Sequence, residues 1–237
     1  MSVLMIDVGG TNVKIMASYE GEMRKMPSGE NLSASEMVRG VIELASGLEF
    51  DRISLGFPGL VQNGIPIREP HNLGDGWVGF DYSKAFGKPV RIINDAAMQA
   101  LGNYTRGRLL FLGFGTSIGS AMIVDDIVIP IEVGLVKLTR KTRLMDRVTK
   151  EALERYGWEV WMEAVAEAVA ILQNVIKPDV TILGGGNSEL IDPLPAKCRR
   201  VDNRSAYIGA QRLWEGSDLF ASACPTSWRI HRDEAHV

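Results

Sequence analysis

Cysteine is nearly absent: the 237 residues hold only Cys198 and Cys224. Two late cysteines without metal-ligand spacing give no zinc site and no disulfide framework, which fits a reducing compartment. Charge of either sign is in little excess. The net value of −3 leaves no global positive field to recruit nucleic acid. Long hydrophobic runs are also missing at the start. The opening MSVLMIDVGG has no basic stretch, and its apolar run soon meets Asp7, so it reads as neither signal peptide nor membrane span. The expectation is a cytoplasmic protein with no membrane and no nucleic-acid partner. What is present is ordinary for a globular chain: 46% hydrophobic and 23% charged residues, enough for one large domain or two lobes sharing a cleft.

The order of elements is the next signal. Val3 to Ile6 reads as a buried strand, Val13 to Ala17 as its returning partner, and Met23 to Met26 as a third strand. Ser33 and Ser35 offer caps for a helix running through Val38, Val41, Ile42 and Ala45. Arg52 to Gly56 reads as a strand, residues 64–81 as a loop rich in Gly, Pro and Asn, Val90 to Ile93 as a strand, and Ala96 to Tyr104 as a helix. The second half repeats the theme. Arg108 to Leu112 is a strand, Gly113 to Ser117 a turn, Ile118 to Val124 the returning strand, and Ile127 to Ile131 a third. A long helix over Trp158 to Ile176, a strand over Val180 to Leu183 and a helix over Tyr207 to Trp214 follow. That pattern implies mixed sheets with helices against them. It places an N-terminal lobe at 1–104, a C-terminal lobe at 105–216, and a tail at 217–237 with no regular structure.

Three glycine turns follow apolar strands, which suits phosphoryl transfer, a reaction that asks for position and charge. In Asp7-Val8-Gly9-Gly10-Thr11-Asn12-Val13-Lys14, adjacent glycines let backbone N–H groups approach an anion. Asp7 is placed to reach Mg²⁺ through water, and Thr11 and Lys14 to bind phosphate; the alternative is a plain hairpin with Lys14 in solvent. Gly113 to Ser120, with Gly115 and Thr116 at its tip, is the second phosphate-facing hairpin or else a turn kept for sheet curvature. Gly184-Gly185-Gly186-Asn187 receives the adenosine part of a nucleotide or merely ends a strand. Asn94-Asp95 is the sharpest site: a carboxylate past a buried strand can take a proton from an attacking hydroxyl, worth about 10²–10⁴ in rate. The same pair can cap the helix that follows.

These runs together resemble the ROK family of sugar kinases and repressors, most closely its polyphosphate/ATP glucokinase branch. The matching segments are IDVGGTNVK at 6–14, GFPG at 56–59, NLGDGW at 72–77 and FGKPVRIINDA at 86–96. They continue with GTSIGSA at 115–121, Glu132-Val133-Gly134, TILGGGNSE at 181–189 and the stretch from Asn203 to Ala210. The resemblance covers roughly residues 3–214. It implies an actin-like ATPase (ribonuclease H-like) α/β fold, two lobes with mixed sheets and a cleft between them. It implies a hexose kinase, with glucose foremost, that uses ATP or polyphosphate, with Mg²⁺, as a homodimer. By the same resemblance Asp95 is the catalytic base toward the sugar 6-hydroxyl, and Asn94, Glu132 and Gly59 belong to the sugar site. Asp7, Gly9, Gly10, Thr11, Asn12 and Lys14 form the first phosphate segment, Gly115 and Thr116 the second, and Gly184, Gly185 and Gly186 the adenosine-side turn.

Departures from that pattern bear on activity. The branch carries Glu-Leu-Gly-His where this chain has Glu132-Val133-Gly134-Leu135, so a sugar-contacting histidine is lost. Ser117 replaces a usual glycine in the second phosphate turn. Of the three histidines, His71 sits in a loop that can face the sugar, whereas His231 and His236 fall in the tail; a loop histidine is more often simply solvated. Arg140, Lys141, Arg143, Arg147 and Lys150 form a basic cluster that suits a polyanion, or an ordinary solvated helix face. Trp158 and Trp161 fall on the long helix, as packing or dimer contacts rather than ligand stackers. Two rivals to the kinase follow: a non-catalytic sugar-binding protein on the same scaffold, and an actin-like ATPase acting on something other than sugar.

Overall fold

The computed structural model describes residues 2–18, 21–201, 204–215 and 227–230. Its first strand, β1 (Val3–Val8), is apolar on both faces, as expected of a strand covered on both sides. It pairs antiparallel with β2 (Asn12–Met16) and parallel with β4 (Arg52–Phe57). With β3 (Arg24–Pro27) and β7 (Val90–Asn94) this gives a mixed sheet in the order β3-β2-β1-β4-β7. Between β3 and β4 runs α1 (Ala34–Leu44). Its start is fixed by a capping box in which Ser33 and Glu36 satisfy each other's backbone N–H groups.

The second sheet repeats that plan. β8 (Arg108–Phe114) pairs antiparallel with β9 (Ile118–Val124) and parallel with β11 (Val180–Gly184). β10 (Ile127–Pro130), β12 (Cys198–Arg200) and β13 (Trp228–Arg229) extend it to the order β12-β11-β8-β9-β10-β13. The strand, glycine turn and antiparallel partner expected in each half are therefore both present. So is the long helix α6 (Trp158–Ile176), at the expected bounds.

Alternation along the strands sorts the side chains into three cores. Leu4, Ile6, Val8, Val13 and Ile15 pack outward against α1. Leu110, Leu112, Phe114 and Leu183 pack outward against α6, where Trp161 is buried and its Nε1 donates to Val148 O at 3.0 Å. Met5, Ile93, Leu109, Phe111 and Ile182 face inward, onto α3 (Asp95–Asn103) and α7 (Ser205–Arg212). The two inner helices cross at glycine. A Cβ on Gly102 would lie 1.8 Å from Ser205 O, and one on Gly209 would lie 1.9 Å from Met98 O. From the late part of the chain, α7 also grips the first sheet. Ser54 Oγ donates to Ala210 O at 2.6 Å, and Tyr207 OH donates to Ala17 O at 3.1 Å. The Trp214 ring is flanked by the guanidinium groups of Arg91 and Arg52, at 4.2 and 5.0 Å from its centroid.

Several short elements escape the sequence pattern because they offer too few residues to show a period. They are the hairpin β5 (Val61–Gln62) and β6 (Ile65–Pro66), and the helices α2 (Tyr82–Phe86), α4 (Met145–Val148) and α5 (Lys150–Tyr156). Two expectations are corrected. The basic cluster does not form one helix face: Arg140, Lys141 and Arg143 precede α4, Arg147 lies on α4, and Lys150 opens α5. The tail is not wholly irregular, because β13 pairs with β10 and buries Trp228 in the inner core. Cys224, His231, His236 and Asn203 lie outside the described residues.

Candidate active site

Strand parity aims the first carboxylate. Met5 faces the inner helices while its neighbours face α1, so Asp7, two residues on, shares the inner face. In the parallel register Asp7 stands opposite Gly56, and Gly56 opposite Ile93. Gly56 leaves room for the start of α3: a Cβ there would lie 3.3 Å from Asp95 Cα and 2.6 Å from Met98 Cε. On the other side, a Cβ on Gly119 of β9 would lie 3.2 Å from Ala96 Cβ. Asp95 is thus set between the two sheets, in the first turn of α3.

Asn94 is the N-cap of α3. Its Oδ1 accepts from Ala97 N–H at 3.0 Å, and its Nδ2 donates to Gly59 O at 3.2 Å. The side chain therefore ties the GFPG turn to the helix that carries Asp95. Asp95 Oδ1 accepts from Ala96 N–H at 2.8 Å. Burial, then the nearby Asp7 charge, lifts the Asp95 carboxyl to about 7; Glu132 adds to the rise, and the Ala96 N–H opposes it. Burial likewise raises Asp7, against the pull of Lys14, which stands opposite it across β1 and β2.

Glu132 lies between β10 and a 3₁₀ turn over Val133–Leu135. Ser120 clamps it from both sides: its Oγ donates to Ile131 O at 2.5 Å and accepts from Val133 N–H at 3.2 Å. Partial burial raises the Glu132 carboxyl, and His71 pulls it back down. His71 itself is exposed. Leu135 is 55% exposed. With about three residues per turn, it lies on the same side of the 3₁₀ turn as Glu132.

The glycine turns converge. The first is closed by Gly9 N–H donating to Asn12 O at 3.0 Å, and braced by Ser28 Oγ donating to Gly9 O at 2.7 Å. The second is closed by Gly115 N–H donating to Ser117 O at 3.0 Å. Their tips touch: Thr11 Oγ1 and Thr116 Oγ1 are 3.1 Å apart, though 105 residues separate them in sequence. A Cβ on Gly10 would lie 3.7 Å from the Thr116 side chain. The third turn backs the second. Gly185 has φ +81° and would place a Cβ 2.3 Å from Phe114 O, while Asn187 N–H donates to that same oxygen at 3.0 Å. Gly184 lies against the Phe111 ring, and a Cβ on Gly186 would meet nothing within 4 Å. A cavity of about 510 Å³ opens beside the second turn, lined in part by Asn72, Thr116, Ser117, Thr149, Lys150 and Arg155. Lys150 and Arg155 pair there with Glu154 and Glu151.

The structure brings Asp7, Asp95 and Glu132 together, and joins Thr11 to Thr116. The Gly184–Gly186 turn abuts the second hairpin from behind. Gly56, Asn72 and Ser120 also shape the site; each lies within a run that carries the resemblance, but only the folded chain shows what each one touches. Among the described residues no group of three or more His, Cys, Asp or Glu side chains forms a metal cage. No described helix is long and apolar enough to cross a membrane.

No family model matches the chain. Among proteins of similar sequence, the polyphosphate glucokinase of Mycobacterium tuberculosis (strain ATCC 25618 / H37Rv) is 27% identical over 235 residues, covering 86% of this chain and 88% of that protein. Among solved structures, the inorganic polyphosphate/ATP-glucomannokinase from Arthrobacter sp. strain KM matches with a TM-score of 0.75 at 24% identity, over 88% of this chain and 96% of that one. A ROK family glucokinase from Streptomyces griseus, in complex with glucose and AMPPNP, matches at 0.73 with 15% identity, over 89% and 98%. The fold is therefore the actin-like α/β architecture of the ROK sugar kinases, as its sequence resemblance implied.

Proposed function

We propose that this chain is a sugar kinase that transfers a phosphoryl group from ATP or polyphosphate to the 6-hydroxyl of a hexose, glucose foremost. One observation carries the reading. Two glycine turns from opposite halves meet at Thr11 and Thr116, beside a carboxylate pair, Asp7 and Asp95, whose second member is held near pH 7. A pure sugar binder needs no second buried carboxylate beside the phosphate turns. The pair's mutual repulsion and burial cost stability, and proton transfer or cation binding is the use for which such carboxylates are arranged.

In this reading Asp95 accepts the proton of the attacking hydroxyl, while Asn94, Gly59 and Glu132 frame the sugar. The backbone of Gly9, Gly10, Thr11, Asn12, Gly115 and Thr116, with Lys14, receives the donor phosphates, and Gly184 to Gly186 lie on the donor's far side. The residues suit Mg²⁺ that arrives on the donor: Asp7 supplies one carboxylate, through water, and the phosphates supply the rest. When bound, the ion neutralises phosphate charge. The lobes of the proposal are 1–104 and 105–216 around this cleft, and the ROK likeness supports a cytoplasmic homodimer.

The test is phosphoryl transfer by the purified protein to a hexose panel, with ATP and polyphosphate as alternative donors and Mg²⁺ present. Turnover with at least one sugar is expected. Sugar binding without turnover would instead establish the non-catalytic reading, to which Leu135 and Ser117 point. ATP hydrolysis indifferent to every sugar would establish the actin-like ATPase.

A further inference from the structure

We propose that residues 137–143 form a basic hairpin that holds the distal phosphates of a long inorganic polyphosphate while its reacting end lies on the second phosphate turn. The inference rests on the kinase reading and names where one of that reading's two donors is gripped beyond the glycine turns.

The hairpin is held by its own backbone. Lys137 and Arg143 pair as an antiparallel bridge, and the N–H groups of Leu138 and Thr139 donate to Thr142 O at 2.9 and 3.2 Å. Thr139 Oγ1 accepts from the N–H groups of Lys141 and Thr142, at 3.2 and 3.1 Å, which tightens the turn. Below the bridge Leu144 N–H donates to Val136 O at 2.8 Å, and Leu138 and Leu144 root the stem in the outer core. Lys137, Arg140, Lys141 and Arg143 are all exposed. Both ends of this segment are pinned to the second phosphate turn. A Cβ on Gly134 would lie 2.7 Å from Cγ2 of Ile118, the neighbour of Ser117. Further on, Lys150 N–H donates to Gly115 O at 2.8 Å. The hairpin thus rises from chain that leaves the turn and comes back to it. At about 3.3 Å per residue, its tip at Arg140 and Lys141 reaches roughly 13 Å from Val136.

Charge decides what it takes. Residues 137–147 carry five cations, Lys137, Arg140, Lys141, Arg143 and Arg147, and one carboxylate, Asp146, in a chain of net charge −3. Among the described residues none of the five forms an ion pair. Asp146 is engaged elsewhere, its Oδ2 accepting from Arg143 N–H at 2.6 Å. The cavity beside the same turn is the opposite case. Its two cations, Lys150 and Arg155, pair with Glu154 and Glu151, and Asp146 leaves the carboxylates in excess. A polyanion too long for the turns therefore finds no net positive charge in the cavity, and finds it on the hairpin. Guanidinium and ammonium groups are the donors that grip successive phosphates. No aromatic residue occurs in 137–147 to stack a base, so the hairpin suits a bare phosphate chain better than a nucleic acid.

The test is the double variant Arg140→Gln, Lys141→Gln. Both side chains are exposed, so its melting temperature should match wild type. In calorimetric titration with inorganic polyphosphate at several salt concentrations, the slope of log affinity against log salt should shrink by roughly one to two. In kinase assays the wild-type KM, per chain, should fall from tripolyphosphate to chains of many phosphates. The double variant should raise the long-chain KM about tenfold or more, while KM for tripolyphosphate and for ATP stays within twofold. A single-stranded oligonucleotide of matched charge should compete weakly. Three results would overturn the hairpin site and leave an ATP-driven kinase intact. They are long-chain affinity and KM unmoved by the double variant, polyphosphate that neither binds nor donates, and an oligonucleotide that displaces polyphosphate at equal charge. A wild-type chain that phosphorylates no sugar with either donor would overturn both readings.

Discussion

Replacing Asp95 by Asn should have two effects of opposite sign. The first is on chemistry. Loss of a general base lowers turnover by about 10²–10⁴, or roughly 3–5 kcal/mol in the barrier. Asparagine keeps the Oδ1 that accepts from Ala96 N–H, so α3 should still start correctly. The second effect is on stability. The native carboxyl is raised from 3.8 to about 7 by burial and by the charges of Asp7 and Glu132. The folded state therefore binds this proton more tightly than the unfolded chain does. The resulting cost is absent below about pH 4, grows as pH rises, and is fully present above about pH 7, at up to about 4 kcal/mol. Asp95→Asn removes that cost, so the variant should melt several degrees above wild type at pH 8, at roughly 2–4 °C per kcal/mol, and match it near pH 4. Wild-type kcat/KM should fall about tenfold per pH unit below about pH 7, where the base is protonated. The assays are a coupled kinase reaction with the preferred hexose and thermal melts across pH. A variant that keeps wild-type turnover would refute Asp95 as the base. One no more stable than wild type at pH 8 would refute the electrostatic account of the site.

Three further outcomes follow from the geometry. Ser120→Ala removes the hydroxyl that joins Ile131 O to Val133 N–H, so stability should drop by about 1–2 kcal/mol and the sugar KM should rise with Glu132 unclamped; unchanged sugar affinity by calorimetry would refute the clamp. Gly209→Ala forces a methyl to within 1.9 Å of Met98 O, so the crossing of α3 and α7 must open; a loss of about 3 kcal/mol or more is expected, and a melt within a degree of wild type would refute it. Thr11→Val and Thr116→Val each delete one partner of the 3.1 Å contact between the phosphate turns, so the double variant should be little worse than either single one in donor KM; strict additivity would show that the turns act separately.

Local pattern carried much of this protein. Apolar runs bounded by glycine located β1, β2, β4, β7, β8, β9 and β11, and the 3.6-residue period located α1, α3 and α6, because those signals lie within a few neighbouring side chains. The glycine turns and Asn94-Asp95 were also legible, since a tight turn or a helix cap requires particular residue types. The tertiary structure decided which of them meet. Asp7 approaches Asp95 only because β1, β4 and β7 run parallel in a register that puts Gly56 between them. Thr11 meets Thr116 only because two sheets close on α3 and α7, themselves brought together through Gly102 and Gly209. Such contacts join residues tens to over a hundred positions apart, and periodicity, a property of near neighbours, carries no record of them.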